Sequence, residues 1–171
     1  MTDAVSIIPA RILVPIDFSP SSHQALDAAT ELALKFGSEL YVLHVIPKYA
    51  AVALPEGVSD EAIVDQAKKA AVKNFEVTEK ALKPKGVKVT TNIEVGADVA
   101  ATILDAIERE KAELAVFTTH GLSGWYPHVF GSIAEKLVRL SPCPVLLLRT
   151  PEPESSAVVP FEYSSRSMEW W

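Results

Sequence analysis

Between Leu114 and Arg149 the chain reads LAVFTTHGLSGWYPHVFGSIAEKLVRLSPCPVLLLR. An apolar run, Leu114 to Thr119, opens into a segment carrying Gly121 and Gly124. That segment closes on Gly131-Ser132, where helical spacing begins and runs to about Leu140, and a second apolar run follows at Pro144 to Leu148. A strand that feeds a glycine loop ending on a helix N-terminus can hold phosphate. Glycines allow close approach of the backbone, and unpaired N–H groups and the helix dipole face the anion. The bland alternative is a plain turn in which glycines supply positive φ. Gly121 and Gly131 bracket a long connection, however, and connections of that length in compact domains tend to be functional.

Upstream, strand and helix alternate. Arg11 to Ile16 is short and apolar; Asp17-Phe18-Ser19-Pro20 ends it, with Ser19 placed to cap a helix whose first position is Pro20. That helix carries Ala25, Ala29, Leu32, Ala33 and Phe36 on one face and stops at Gly37. Leu40 to Ile46 is a second strand. After a looser stretch, Lys48 to Val58, Ser59 caps a long helix with Ile63, Ala67, Ala70, Val77 and Ala81 at helical spacing, ended by Pro84 and Gly86. Val87 to Val95 alternates as a half-covered strand near a sheet edge would, and Asp98 caps a helix that buries Val99, Ile103, Ala106 and Ile107. Five strands separated by four helices predict an α/β fold, a parallel sheet with helices on both faces. Residues 8–150 read as one domain and residues 151–171 as an extended Pro/Glu/aromatic tail.

Composition excludes several classes. Hydrophobic residues make up 49% and charged residues 22% of the 171, an ordinary globular balance. The formal net charge of −6 lacks the basic field needed for sequence-independent nucleic-acid binding, so no nucleic-acid partner is expected. The apolar runs fall short of the roughly 18 residues of a membrane span, and the N-terminal stretch does not read as a signal peptide. The expectation is a cytoplasmic protein without a membrane partner. Cys143, the single cysteine, lies between two prolines beside an apolar strand and reads as a small packed residue. There is no G-K-S/T loop, no G-x-G-x-x-G fingerprint, no G-x-S-x-G elbow and no H-E-x-x-H pair. A dedicated catalytic site is therefore not expected. Asp17, at a strand end, reads either as a ligand contact or as a loop-stabilising carboxylate. His44, inside an apolar strand, reads as a satisfied core histidine, and His120 either contacts phosphate or shapes the glycine loop. The aromatic cluster Trp125, Tyr126, His128 and Phe130 either covers a ligand or packs the loop on the body.

The chain resembles the universal stress protein family over about Arg11 to Arg149. The resemblance rests on Val14-Pro15-Ile16-Asp17-Phe18-Ser19, on Leu43-His44-Val45, and on a G-x2-G-x9-G-S-like pattern running from Thr118 through Gly121 to Gly131-Ser132. The IAEKLVR helix and the PCPVLLLR strand complete it. The resemblance implies a five-stranded parallel sheet of order 3-2-1-4-5, Rossmann-like and of the adenine nucleotide alpha hydrolase type. It places ATP or AMP at the switch point beside strands 1 and 4. Carried over by position, Pro15 and Asp17 would line the nucleoside pocket and Val45 would meet adenine through its backbone. Thr118 would border the ribose. Gly121, Gly131, Ser132 and Ile133, flanked by His120, would hold phosphate, with Mg2+ arriving on the phosphates.

Two departures from the family pattern stand out. Thr118 replaces the first glycine of the motif, where its side chain either crowds the sugar or hydrogen-bonds to it. Leu122 stands where ATP-binding members often carry a basic residue, which predicts a weaker hold on a triphosphate. The expected role is nucleotide-dependent stress regulation through protein partners and a homodimer formed by the strand Pro144 to Leu148, with at most slow ATP hydrolysis. The alternative is a member without nucleotide that works as a protein-interaction module.

Overall fold

A computed structural model of the protein describes residues 8–48, 59–119 and 131–149. Its strands are β1 (Arg11–Pro15), β2 (Glu39–Pro47), β3 (Lys88–Gly96), β4 (Leu114–Thr118) and β5 (Val145–Leu148). The helices are α1 (Pro20–Phe36), α2 (Asp60–Leu82), α3 (Val99–Arg109) and α4 (Ser132–Leu140). The strands form one sheet in the order β3-β2-β1-β4-β5, and every pairing is parallel. The α/β architecture and strand order expected above are what the chain adopts.

The alternation of side chains along each strand divides the core in two. Ile12, Val14, Leu40, Val42 and Val116 face α1 and α2, packing against Ala25, Leu26, Ala29, Phe75 and Leu82. Leu13, Tyr41, Leu43, Ala115 and Phe117 face the other way, onto Ile103, Ala106 and Ile107 of α3 and Ala134 and Leu137 of α4. Strands buried on both faces read as unbroken apolar runs, which explains RILVP and LAVFT.

The caps read from sequence hold for three helices. Ser19, Ser59 and Asp98 each accept an N–H of the first turn, from Ser22, Ala62 and Ala101 respectively. Gly37 ends α1 at φ 72°, a left-handed position that glycine takes without a Cβ penalty.

Two packing expectations need correction. The buried row of α2 is Ala71, Phe75, Thr78 and Leu82, whereas Ala70 and Ala81 are exposed and Val77 is 69% exposed. Ile63 and Ala67 lie on the correct row, but Phe75, the largest apolar side chain of the helix, sets its rotation. In α1, Phe36 is 37% exposed, while Leu26 and Thr30 take the buried positions. Thr30 is tolerated there because its hydroxyl donates to the Leu26 carbonyl at 2.7 Å.

The two sheet edges differ. β3 carries Lys88, paired to Glu39, and Glu94, paired to Arg109. The Glu94 carboxylate holds the Arg109 guanidinium well above its ordinary pKa. β5 is four residues of Val and Leu, with Leu146 36% exposed.

Candidate functional site

The chain leaves β1 toward β2 and β3, then returns to the other side of β1 as β4. Open α/β sheets bind ligands beyond the carboxyl ends of the strands where such a reversal occurs. A cavity of about 310 Å³ lies there, lined by Pro15, Asp17, Val45 and Thr118 from the strand ends and by Ser132 and Ile133 from the start of α4. Gly131 borders it as well. Seven of the nine residues singled out in the sequence thus converge on one cavity; His120 and Gly121 lie outside the described residues, as do Leu122 and the aromatic cluster at 125–130.

The β1 end is shaped by a sharp departure of the chain. Ile16 still pairs with β2, its N–H donating to the Leu43 carbonyl at 2.8 Å. At Asp17 the chain turns, and the carboxylate accepts the Ser19 N–H at 3.0 Å, an Asx turn that aims Asp17 along the cavity wall. Phe18 follows at φ 62°. A non-glycine residue there costs on the order of 1–2 kcal/mol. Aromatic packing offsets it: the Phe18 ring lies 4.6 Å from the His44 ring and 5.2 Å from that of Phe75, edge-on to the latter.

His44 is partnered, as its place in an apolar strand suggests. Its Nδ1–H donates to the Ile16 carbonyl at 2.7 Å, which fixes the tautomer because a carbonyl can only accept. This bond also closes the β1–β2 ladder. Leu43 presents its carbonyl to β1, so Val45, two residues on, presents its main-chain groups to the same side, where β1 has already turned away. The Val45 backbone therefore edges the cavity.

The β4 side ends on a helix start. The Gly131 N–H donates to the Thr119 carbonyl at 3.1 Å, and a Cβ on Gly131 would stand 3.0 Å from that same oxygen. This corrects the expectation that Gly131 supplies an amide to a phosphate: its amide is committed, and the position needs glycine for the close approach. In α4 the first N–H to bond along the helix is that of Glu135, to the Gly131 carbonyl at 2.9 Å. No side chain caps this end. The amides of Ser132, Ile133 and Ala134 stand ahead of the ladder, and all three residues line the cavity.

Other lining residues were not singled out from sequence. Val99 and Ile103 of α3, Phe117 of β4 and Leu137 of α4 give the cavity an apolar wall, and Ser22 adds a hydroxyl from the first turn of α1. Each lies at a strand's carboxyl end or along a helix flanking the switch point, a positional signal that residue type alone does not carry.

Asp17 is the one ionisable side chain among the described lining residues. Lys136, one turn into α4, bonds Asp98 at 2.7 Å and holds that carboxyl below its ordinary pKa. Among the described residues no group of three His, Cys, Asp or Glu side chains is placed to hold a metal ion. Cys143 is half-buried, and desolvation pushes its thiol above the ordinary value. No helix among the described residues is long and apolar enough to cross a membrane.

Comparison with known proteins agrees with this geometry. A relative called universal stress protein YxiE, from Bacillus subtilis, is 35% identical over 147 residues, covering 81% of this chain and 98% of its own length. A crystal structure of a universal stress protein in complex with cAMP superposes with a TM-score of 0.62 at 21% identity, covering 84% of this chain and 99% of the other. A universal stress protein from Archaeoglobus fulgidus in complex with dAMP superposes at 0.58 with 21% identity, covering 82% and 98%. A sequence model of the universal stress protein family matches residues 10–149. With its five-stranded sheet, its switch-point cavity and this match over most of its length, the chain belongs to the universal stress protein family.

Proposed function

We propose that this universal stress protein binds an adenine nucleotide, ATP or AMP, in the switch-point cavity and acts as a nucleotide-dependent regulator of the stress response rather than as an enzyme. The observation that carries the reading is the meeting of three open amides of α4 with an apolar cavity at the strand ends. One end suits an anion and the other a planar base. In this reading the adenine lies between the apolar lining residues and bonds the main chain of Val45. Pro15, Asp17 and Thr118 bound the sugar. The amides of Ser132 and Ile133 and the Ser132 hydroxyl take the phosphate nearest the sugar. His120 and Gly121 contribute from the loop that joins β4 to α4. Mg2+, where it takes part, travels on the phosphates. Related folds crystallised with cAMP and dAMP support an adenine ligand of this size.

Among the described lining residues no side chain is arranged as a nucleophile with a base, so in this reading ATP turnover would at most be slow. Output then passes through association. β5 is an apolar sheet edge, and an edge of this kind pairs with another strand, giving a homodimer about a twofold axis and a surface for protein partners. Residues 8–150 form the working domain in this reading, with residues 151–171 as an appended tail.

Mass spectrometry of small molecules released from freshly purified protein tests the reading; an adenine nucleotide at near-stoichiometric ratio is expected. A second reading, a protein-interaction module that takes no nucleotide, draws on Thr118, whose side chain borders the cavity where the motif has glycine. It predicts protein free of nucleotide and insensitive to added ATP or AMP.

A further inference from the structure

We infer that the cavity accepts nucleoside monophosphates and discriminates against the triphosphate, so that AMP binds well ahead of ATP and without Mg2+. This inference rests on the nucleotide-binding reading above and narrows it to one charge class.

The cavity offers little to meet negative charge. Among the described lining residues the charged side chain is a carboxylate, Asp17, which repels phosphate. No described Lys or Arg lines the cavity. Residues 120–130, which connect β4 to α4, read HGLSGWYPHVF and contain neither Lys nor Arg, so that segment brings no guanidinium or ammonium in any conformation. Lys136, the cation next along α4, is engaged by Asp98 at 2.7 Å.

Among the described lining residues, what remains is the helix end. The Gly131 amide is committed to Thr119, leaving the N–H groups of Ser132, Ile133 and Ala134 and the Ser132 hydroxyl. A helix N-terminus carries roughly half an elementary positive charge, and its field fades within the first turn. Such a set can surround one phosphate group. A second and third phosphate would extend beyond it with no Lys or Arg among the described lining residues or in residues 120–130 to receive them, only His120 and His128 of that segment, and would add repulsion from Asp17. At 310 Å³ the cavity also stands at the small end of the range of about 300–1,000 Å³ for ligand sites.

Isothermal titration of the dialysed full-length chain with adenosine, AMP and ATP, each with and without Mg2+, tests this. AMP is expected to bind at least tenfold tighter than ATP under both conditions, and tighter than adenosine. The variant Ser132→Pro sharpens the test. Proline is favoured at the first helical position, and the extended backbone of Gly131 (φ −58°, ψ 139°) suits a residue before proline, so α4 is retained while one amide and one hydroxyl are removed. It should weaken AMP severalfold and leave adenosine unchanged. Two outcomes overturn the inference while leaving nucleotide binding intact: ATP binding as tightly as AMP, or AMP binding no better than adenosine and unmoved by Ser132→Pro. Silence from all three ligands overturns the inference together with the nucleotide reading beneath it.

Discussion

Two helices begin at the same cavity, α1 after β1 and α4 after β4, and their first turns are finished in opposite ways. At α1, Ser19 accepts the Ser22 N–H at 3.1 Å, Ser22 returns its hydroxyl to the Ser19 carbonyl at 3.0 Å, and Ser21 shares a hydrogen bond with Ser19 at 2.9 Å. Proline at the first position removes a further donor. At α4 a glycine stands at the cap position and no side chain closes the turn. The dipoles have the same sign. What differs is whether the donors are consumed inside the protein, and only the α4 terminus keeps them for something else.

That contrast can be broken from either side, and the largest effect belongs to the closed one. Phe75 braces Phe18 and through it the Asp17 turn, so Phe75→Ala should cost about 3–5 kcal/mol in urea-induced unfolding. A loss under 1 kcal/mol would show that Phe18 keeps its positive φ without this support. At the open terminus, Gly131→Val pushes a side chain against the Thr119 carbonyl. Its expected cost is smaller, about 1–3 kcal/mol, but AMP affinity measured by calorimetry should fall more than tenfold. Ser19→Ala should show the reverse balance. Losing the cap costs about 0.5–2 kcal/mol, while AMP affinity moves less than threefold because the α1 donors do not serve the ligand.

The smallest effect concerns the exposed pair Asp98–Lys136, which joins the starts of α3 and α4. Lys136 lowers the Asp98 pKa in the folded protein below its ordinary 3.8. A depressed carboxylate pKa adds stability above the unfolded-state value, and that increment disappears as pH falls through the folded-state value. In Lys136→Met the loss of stability on acidification below pH 3.8 should therefore be slightly shallower than in the parent chain, as read from thermal melts. Identical slopes would mean that the pair contributes nothing measurable, the usual fate of exposed ion pairs.

The fold was legible because its signals are local and repeated. Apolar runs bounded by Gly, Pro and capping residues marked four strands, apolar–polar alternation marked β3, and Ser19, Ser59 and Asp98 announced three helix starts. The rotation of α2 was less legible: its alanines are spread around the helix, and only contact with the sheet reveals that Phe75 fixes the phase. The cavity lining was legible as a set of strand-end and motif positions, from Pro15 to Ile133. Donor accounting was not. Whether the Gly131 amide is open depends on where the Thr119 carbonyl lies, a distance that spacing alone does not encode. Val99 and Ile103 were read only as core, since an apolar residue looks the same facing a neighbour or a ligand.

The unequal edges of the sheet have a consequence for growth. Lysine and glutamate on β3 discourage another strand from adding there, whereas β5, all Val and Leu, carries no charged side chain. A subunit with one receptive flank can be extended once and then has no free flank to offer. Under the proposed pairing of β5 with its own copy, strand addition would therefore close at two copies rather than propagate into a filament.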